Sequence, residues 1–297
     1  MSPIAAPLLA AGLLAIAATT AAADEFCRGR PHALGTARVL PVDARTTPHV
    51  GRKHSAVTLP LAPREVVLTF DDGPWPATTP RVLDALRDEC VRATFFLVGR
   101  KATAFPRLTR RTAAAGHTIA THTYSHPLLN RMSFARAEAE IDRGIAAVTR
   151  ALGSDADGHI APFFRFPGFA STPRLLDRLA RRGIVVFGAD LWASDWLPMT
   201  PERELALVMQ RLDAAGGGIV LFHDTKGPTA AMLPSFLRML KRDGYRVVHA
   251  VPSGSQAIAA APVPAGTTTG PVEPSPMPAG RPLVLKESNR NASKFRN

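Results

Sequence analysis

From Arg64 onward the chain alternates short apolar runs with longer stretches whose apolar residues recur three and four apart. Runs at residues 66–70, 93–98, 118–120, 163–166, 184–187, 219–222 and 245–251 predict strands. The stretches between them predict helices over 80–88, about 106–115, 133–152, 172–182, 201–214 and 232–242. The longest helix is the best marked: Ile141, Ile145, Val148 and Leu152 share one face, Ser133 offers an N-cap and Gly153 a stop. Strict alternation of strand and helix predicts a parallel sheet and an α/β fold.

About seven strands fit either a small distorted barrel or an open doubly wound sheet. The polar residues favour the barrel. Asp71 and Asp72 end the first strand, and His122 and His126 follow the third. Arg165 lies in the fourth, Asp190 and Asp195 follow the fifth, and His223 with Asp224 closes the sixth. Chemistry-bearing groups at the carboxyl ends of successive strands are the habit of barrel enzymes, whereas an open sheet gathers ligands mainly at one switch point. The expectation is an incomplete (β/α) barrel over residues 63–251.

The flanks read differently. Residues 1–23 hold no Lys, Arg, Asp or Glu and are dominated by Ala and Leu, with small residues before Asp24, which reads as a secretory signal peptide. An exported chain with no integral membrane span once processed follows. Residues 24–62, rich in Arg, Pro, Thr and His without periodicity, read as an extended arm or linker. Residues 252–297 are rich in Pro, Ala, Gly, Ser and Thr and end in a basic segment, a composition that cannot bury a core. Cys27 and Cys90 either pair or stay free; spacing does not decide it.

The formal charge of +12 is spread along the chain rather than concentrated. That suits work near anionic surfaces such as a cell envelope or an acidic polysaccharide. No motif points to nucleic acid.

The candidate chemistry centres on Thr69-Phe70-Asp71-Asp72-Gly73. Adjacent strand residues face opposite ways, so the two carboxylates take different tasks, one holding a metal and one handling a proton. Asp72 with His122 and His126 makes a two-imidazole, one-carboxylate set with positions left for water and substrate, the pattern of catalytic zinc. Cobalt, manganese or nickel suit the same donors. Asp-Asp-Gly alone is commonly a turn, two histidines four apart are commonly surface residues, and Arg165 or His223-Asp224 alone are commonly structural pairs. Their joint placement after successive strands outweighs those readings.

Taken in order, the Asp-Asp-Gly segment, His122-Thr123-Tyr124-Ser125-His126, Arg165-Phe166-Pro167, Asp195-Trp196 and Ile219-Val220-Leu221-Phe222-His223 resemble the five motifs of the polysaccharide deacetylase family, carbohydrate esterases with a NodB-type domain. The resemblance spans residues 65–250. It implies a metal-dependent hydrolase that removes acetyl groups, usually N-acetyl groups of amino sugars, from a polysaccharide. It further implies Asp72, His122 and His126 as metal ligands, Asp71 as general base, His223 as general acid, Arg165 as orienter of the base, and Asp195 as partner of the acid, with Asp190 a second candidate. Trp196 and Leu221 are expected to line an acetyl pocket and Gly168 to shape its wall. Gly168-Phe169, after Pro167, departs from the family's usual continuation. Three other readings stay open: an O-acetyl polysaccharide esterase, a non-haem iron oxygenase, which uses a similar donor set, and a silent polysaccharide-binding protein on the same fold.

Overall fold

The computed structural model describes residues 29–153 and 160–254. The expected signal peptide, Cys27 and nearly all of the expected tail lie outside the described residues. Two strands come first, β1 (Thr36–Val42) and the short β2 (His49–Val50), followed by β3 (Glu65–Asp71) and α1 (Thr79–Asp88). Next come β4 (Thr94–Leu97), α2 (Gly99–Ala104), α3 (Pro106–Ala114), β5 (Thr118–Thr121) and α4 (Phe134–Leu152). The second half holds β6 (Phe163–Phe164), α5 (Pro173–Arg181), β7 (Val185–Phe187), β8 (Leu191–Trp192), α6 (Pro201–Ala215), β9 (Gly218–His223), α7 (Gly227–Arg242) and β10 (Arg246–Pro252).

Every pairing among these strands is parallel, and β3 sits at the branch point. On one side β4, β5, β6 and β7 follow in order; on the other β9 pairs with β3 over six positions and carries β8. No ladder joins β7 to β8, so the sheet curls toward a barrel without closing. All seven residues of β3 are buried, as expected for a strand covered on both faces. Val66, Leu68 and Phe70 pack under the helices, while Val67 packs with Phe96, Phe163, Phe187 and Ile219 in a second cluster on the other face. With a side-chain period of two, Thr69 and Asp71 continue the Val67 face to the carboxyl end of the strand.

The segment expected to be an arm contributes to the sheet instead. β1 lies along β10, and β2 lies along β7 at the edge left open. Proline at positions 41 and 48 and the brevity of β2 hide both strands from periodicity, and their partners are remote in sequence, so tertiary pairing decides their form. β8 and α2 were likewise too short to read. Ser133 starts α4 in extended backbone but makes no side-chain cap bond; its carbonyl accepts from the Ala137 N–H at 2.9 Å. Cys90 is buried and disulfide-bonded. Among the described residues no helix is long and apolar enough to cross a membrane.

Candidate active site

The carboxyl ends of β3, β5, β6, β8 and β9 converge on a cavity of about 430 Å³ lined by Asp71, Asp72, His122, His126, Trp196 and His223, among others. Asp71 is the last residue of β3 and only 2% exposed. Asp72 leaves the strand in a left-handed conformation, φ 76°, and His126 and Thr123 adopt the same region. Such backbone is costly for residues other than glycine and persists where surrounding contacts over-determine it. Gly73 is required by crowding: a Cβ there would stand 2.1 Å from Asp224 Oδ2.

The loop that carries the two histidines is staked from three directions. Gly99 and Arg100 at the start of α2 donate to the carbonyls of Thr123 and Tyr124, both at 2.9 Å. Glu140 of α4 accepts from the Ser125 N–H at 2.9 Å and from its hydroxyl at 3.0 Å. The His126 N–H donates to Thr123 Oγ1 at 2.9 Å. Gly144 lets α4 back onto this loop, since a Cβ there would lie 2.6 Å from the Thr123 carbonyl carbon. Nothing in the sequence of α4 beyond a mid-helix glycine signalled Glu140.

Asp72, His122 and His126 meet as the sequence suggested, each offering one donor atom within 4.8 Å of the others. His126 Nε2 lies 3.1 Å and His122 Nε2 3.7 Å from Asp72 Oδ1. The His122 tautomer is set by its other nitrogen, which donates to the Arg165 carbonyl at 2.7 Å and leaves the Nε2 lone pair turned to the cluster. Burial pushes His122 below its ordinary pKa, toward the neutral form a metal needs. Asp72 is held well below the carboxylate range: burial pushes it up, but the close His126 ring and the neighbouring His122 and His223 outweigh that. The buried Asp72 Oδ1 makes no hydrogen bond. Two imidazoles and a carboxylate, with a bare oxygen between them, fit a divalent cation.

Arg165 is fully buried directly after β6, which ends at Phe164, two residues short of the expected strand. Its guanidinium donates to Asp71 Oδ1 at 2.7 Å, Thr69 Oγ1 at 2.9 Å, and the carbonyls of Phe187 and Gly188 at 3.2 and 2.7 Å. Burial lowers its pKa and Asp71 counters this. Asp71 Oδ2 stands 3.8 Å from His122 Nε2, so the carboxylate is aimed at the cluster.

Across the cavity, His223 Nδ1 donates to Asp195 Oδ1 at 2.7 Å, leaving Nε2 as the ring's other nitrogen. Asp195 Oδ2 also accepts from the His223 backbone N–H at 2.6 Å. Burial alone would lower His223, yet the Asp195 bond, with Asp71 and Asp72 nearby, carries it up to about 9. Trp196 is 47% exposed and meets the His223 ring edge-on at 6.0 Å. Gly168, φ 57°, Trp196 and Leu221 all line the cavity.

Asp190 is not part of this constellation. Its carboxylate accepts from the Arg52 N–H at 2.9 Å, the Thr58 hydroxyl at 2.6 Å and the Ile219 N–H at 2.8 Å. It therefore ties the 51–58 segment to the start of β9. Gly51 packs against Gly188 there, with room for no Cβ, and the Lys53 N–H donates to the Ala189 carbonyl at 2.9 Å. The segment delivers Lys53 to the rim, 5.1 Å above the Trp192 ring. Lys53, Trp192, Phe166, Phe169 and Lys226 complete the lining and were not singled out from sequence. The first two depend on β2 and β8, which the hydrophobic pattern does not reveal.

Comparison with known proteins identifies the family. Residues 59–187 match the family model described as polysaccharide deacetylase. The chain is 32% identical over 203 residues to a chitooligosaccharide deacetylase of Bradyrhizobium, covering 64% of this chain and 90% of that one. It is 31% identical over 201 residues to the peptidoglycan-N-acetylglucosamine deacetylase PgdA of Listeria monocytogenes, covering 65% of this chain but only 41% of PgdA. The Bdellovibrio bacteriovorus peptidoglycan deacetylase Bd3279 superposes with a TM-score of 0.65 at 32% identity, over 73% of this chain and 59% of that one. The chain belongs to the polysaccharide deacetylase family, and its open parallel barrel is the fold of that family.

Proposed function

We propose that the protein is an exported, metal-dependent deacetylase that hydrolyses N-acetyl groups of amino sugars in an envelope glycan. The observation that carries this reading is the pairing, across one cavity, of an Arg165-held Asp71 with an Asp195-held His223, on either side of the Asp72, His122, His126 cluster. Two relatives named above act on peptidoglycan and one on chitooligosaccharides. The spread of positive charge and the signal-like leader suit a cell-wall substrate.

Asp72, His122 and His126 would hold the ion, zinc by preference for this donor set. When bound, it supplies a Lewis acid that polarises the acetyl carbonyl and acidifies water. Asp71, paired with and aimed by Arg165, takes the proton of the attacking water. His223 then donates from Nε2 to the departing sugar nitrogen, which must be protonated to leave. Asp195 holds the ring and stabilises its charged form. Leu221 and Trp196 are placed to contact the acetyl methyl, and the exposed Trp196 face to stack on a sugar. An oxygenase would have no use for the fixed Asp71 and His223 on opposite sides of the cluster.

Acetate release from N-acetylglucosamine oligomers, peptidoglycan glycan strands and acetylated xylan, measured side by side, tests the substrate class. Release from the N-acetyl substrates is expected. Release from xylan alone would reassign the protein as an O-acetyl esterase, and binding without release would make it a silent glycan-binding protein.

A further inference from the structure

Behind His223 and Asp195 lies a buried group that the proposed chemistry does not use. Thr229, in the first turn of α7, is fully buried, and its hydroxyl stands 3.0 Å from Asp195 Oδ2 and 2.8 Å from Glu204 Oε1. Glu204, near the start of α6, is itself fully buried, and its Oε2 has no hydrogen-bond partner. A threonine hydroxyl has one proton to give and two lone pairs with which to accept. It cannot donate to two carboxylate oxygens at once. If both acids were ionised, one of the two short oxygen–oxygen contacts would lack a proton and set negative charge against a lone pair.

Asp195 is the acceptor-only partner, because its two oxygens already face the His223 ring, the His223 backbone N–H and the Thr229 hydroxyl, while Glu204 faces Thr229 alone. The missing proton therefore belongs to Glu204. The direction of the chain follows: Glu204 O–H donates to Thr229 Oγ1, Thr229 donates to Asp195 Oδ2, and Asp195 Oδ1 accepts from His223 Nδ1. Burial pushes Glu204 up to about 7, with Asp195 adding to the rise and Thr229 and His223 opposing it, which agrees with the hydrogen-bond count. Those three residues are the polar and titratable groups that act on Glu204 from α7, the loop after β8 and the end of β9.

We propose that Glu204 is a positioning residue for His223: as a protonated acid it commits the Thr229 hydroxyl to Asp195, and so fixes the carboxylate that holds the imidazole. Glu204 touches neither substrate nor the ligand cluster; it acts through two intervening side chains. Its ionisation releases Thr229 to turn away from Asp195 and places a further negative charge behind the imidazolium, and both changes tighten the hold on the His223 proton. This inference rests on the reading of His223 as the general acid.

The test is NMR of the zinc-loaded full chain, following the Glu204 carboxyl carbon and the His223 ring across pH, together with the pH profile of acetate release. In the parent, Glu204 is expected to be protonated at about pH 5.5 and His223 to report its ionisation. Glu204→Gln keeps a donor to Thr229 and cannot ionise, so the His223 midpoint and the alkaline limb of the rate profile should both fall by about half a pH unit or more. Near pH 6 its rate should remain within about threefold of the parent, because the amide replaces the acid as donor. Thr229→Val removes the link and leaves Glu204 facing a methyl group, where it stays neutral to higher pH. On that background Glu204→Gln should no longer move His223. A Glu204 carboxylate already ionised at about pH 5 in the parent overturns the proposal with no variant needed. So does an unchanged His223 midpoint in Glu204→Gln, or an equal shift with and without Thr229. The titrations need no turnover, so failure of the deacetylase reading would show as absent acetate release and failure of the relay as absent coupling.

Discussion

His122 and Asp71 are joined through one residue: the Arg165 carbonyl accepts from His122 Nδ1 at 2.7 Å, and the Arg165 guanidinium donates to Asp71 Oδ1 at 2.7 Å. The backbone of Arg165 thus sets the tautomer of a ligand, and its side chain sets the aim of the carboxylate beside it. Arg165→Met leaves Asp71 buried and without its cation, which costs about 3–5 kcal/mol of stability and at least about 100-fold in kcat. Adding Asp71→Asn should recover part of the stability and none of the activity. Chemical denaturation and acetate release on the single and double variants check this.

Asp195→Asn offers an amide where three donors now converge. Its NH2 must face at least one of them, so His223 loses its preferred tautomer or its anchor. The rate on an N-acetyl sugar should fall about 100- to 1,000-fold. The loss on a phenyl acetate should be much smaller, because that leaving group departs without a proton. Equal losses on both substrates would remove His223 from the role of acid.

His126→Ala takes away one donor of the cluster while leaving the fixed His122 in place. Zinc affinity should fall by about 100-fold or more, and excess metal should restore part of the activity. Competition against a chromogenic chelator measures the affinity, and metal-dependent thermal shift gives a readout independent of turnover.

Asp224, fully buried, accepts from Thr79 Oγ1 at 2.5 Å and has one oxygen without a partner. Burial pushes it up to about 7. A carboxyl whose folded pKa lies above its unfolded value stabilises the fold fully at low pH and loses that contribution as pH rises through the folded value. The metal-free protein should therefore lose stability between about pH 4 and about pH 7 from this group, and Asp224→Asn should show less of that loss. Melting curves across that range on parent and variant decide it.

Asp190→Ala removes the acceptor for three hydrogen bonds that tie the 51–58 segment to the sheet. Stability should fall by about 2–4 kcal/mol. Well below the melting point kcat should drop by less than about tenfold, since the residue holds the rim and not the reacting groups.

The core of the barrel was legible because β3, β4, β5, β7, β9 and β10 are continuous apolar runs between helices with a clear 3.6-residue period. The ligand cluster was legible for a related reason: Asp72, His122 and His126 each follow such a run, so strand ends alone bring them together. The choice of Asp195 over Asp190 came from the Asp195-Trp196 pair and not from the strand pattern. Both follow β7, and only the short β8 between them, paired to β9, directs Asp195 toward His223 and Asp190 back toward the 51–58 segment. Lys53 reached the cavity through a segment whose strands are too short and too broken by proline to show a pattern. Glu140 and Glu204 lie on helices where a polar residue at a buried position is indistinguishable by spacing from a solvated one.

The most direct test of the account is acetate release from an N-acetylglucosamine oligomer by the metal-stripped protein and by its Asp71→Asn variant, before and after one equivalent of Zn²⁺. The account predicts silence without metal, restored release in the parent, and zinc binding without release in the variant. Release by the stripped protein, or equal release by parent and Asp71→Asn, would contradict it.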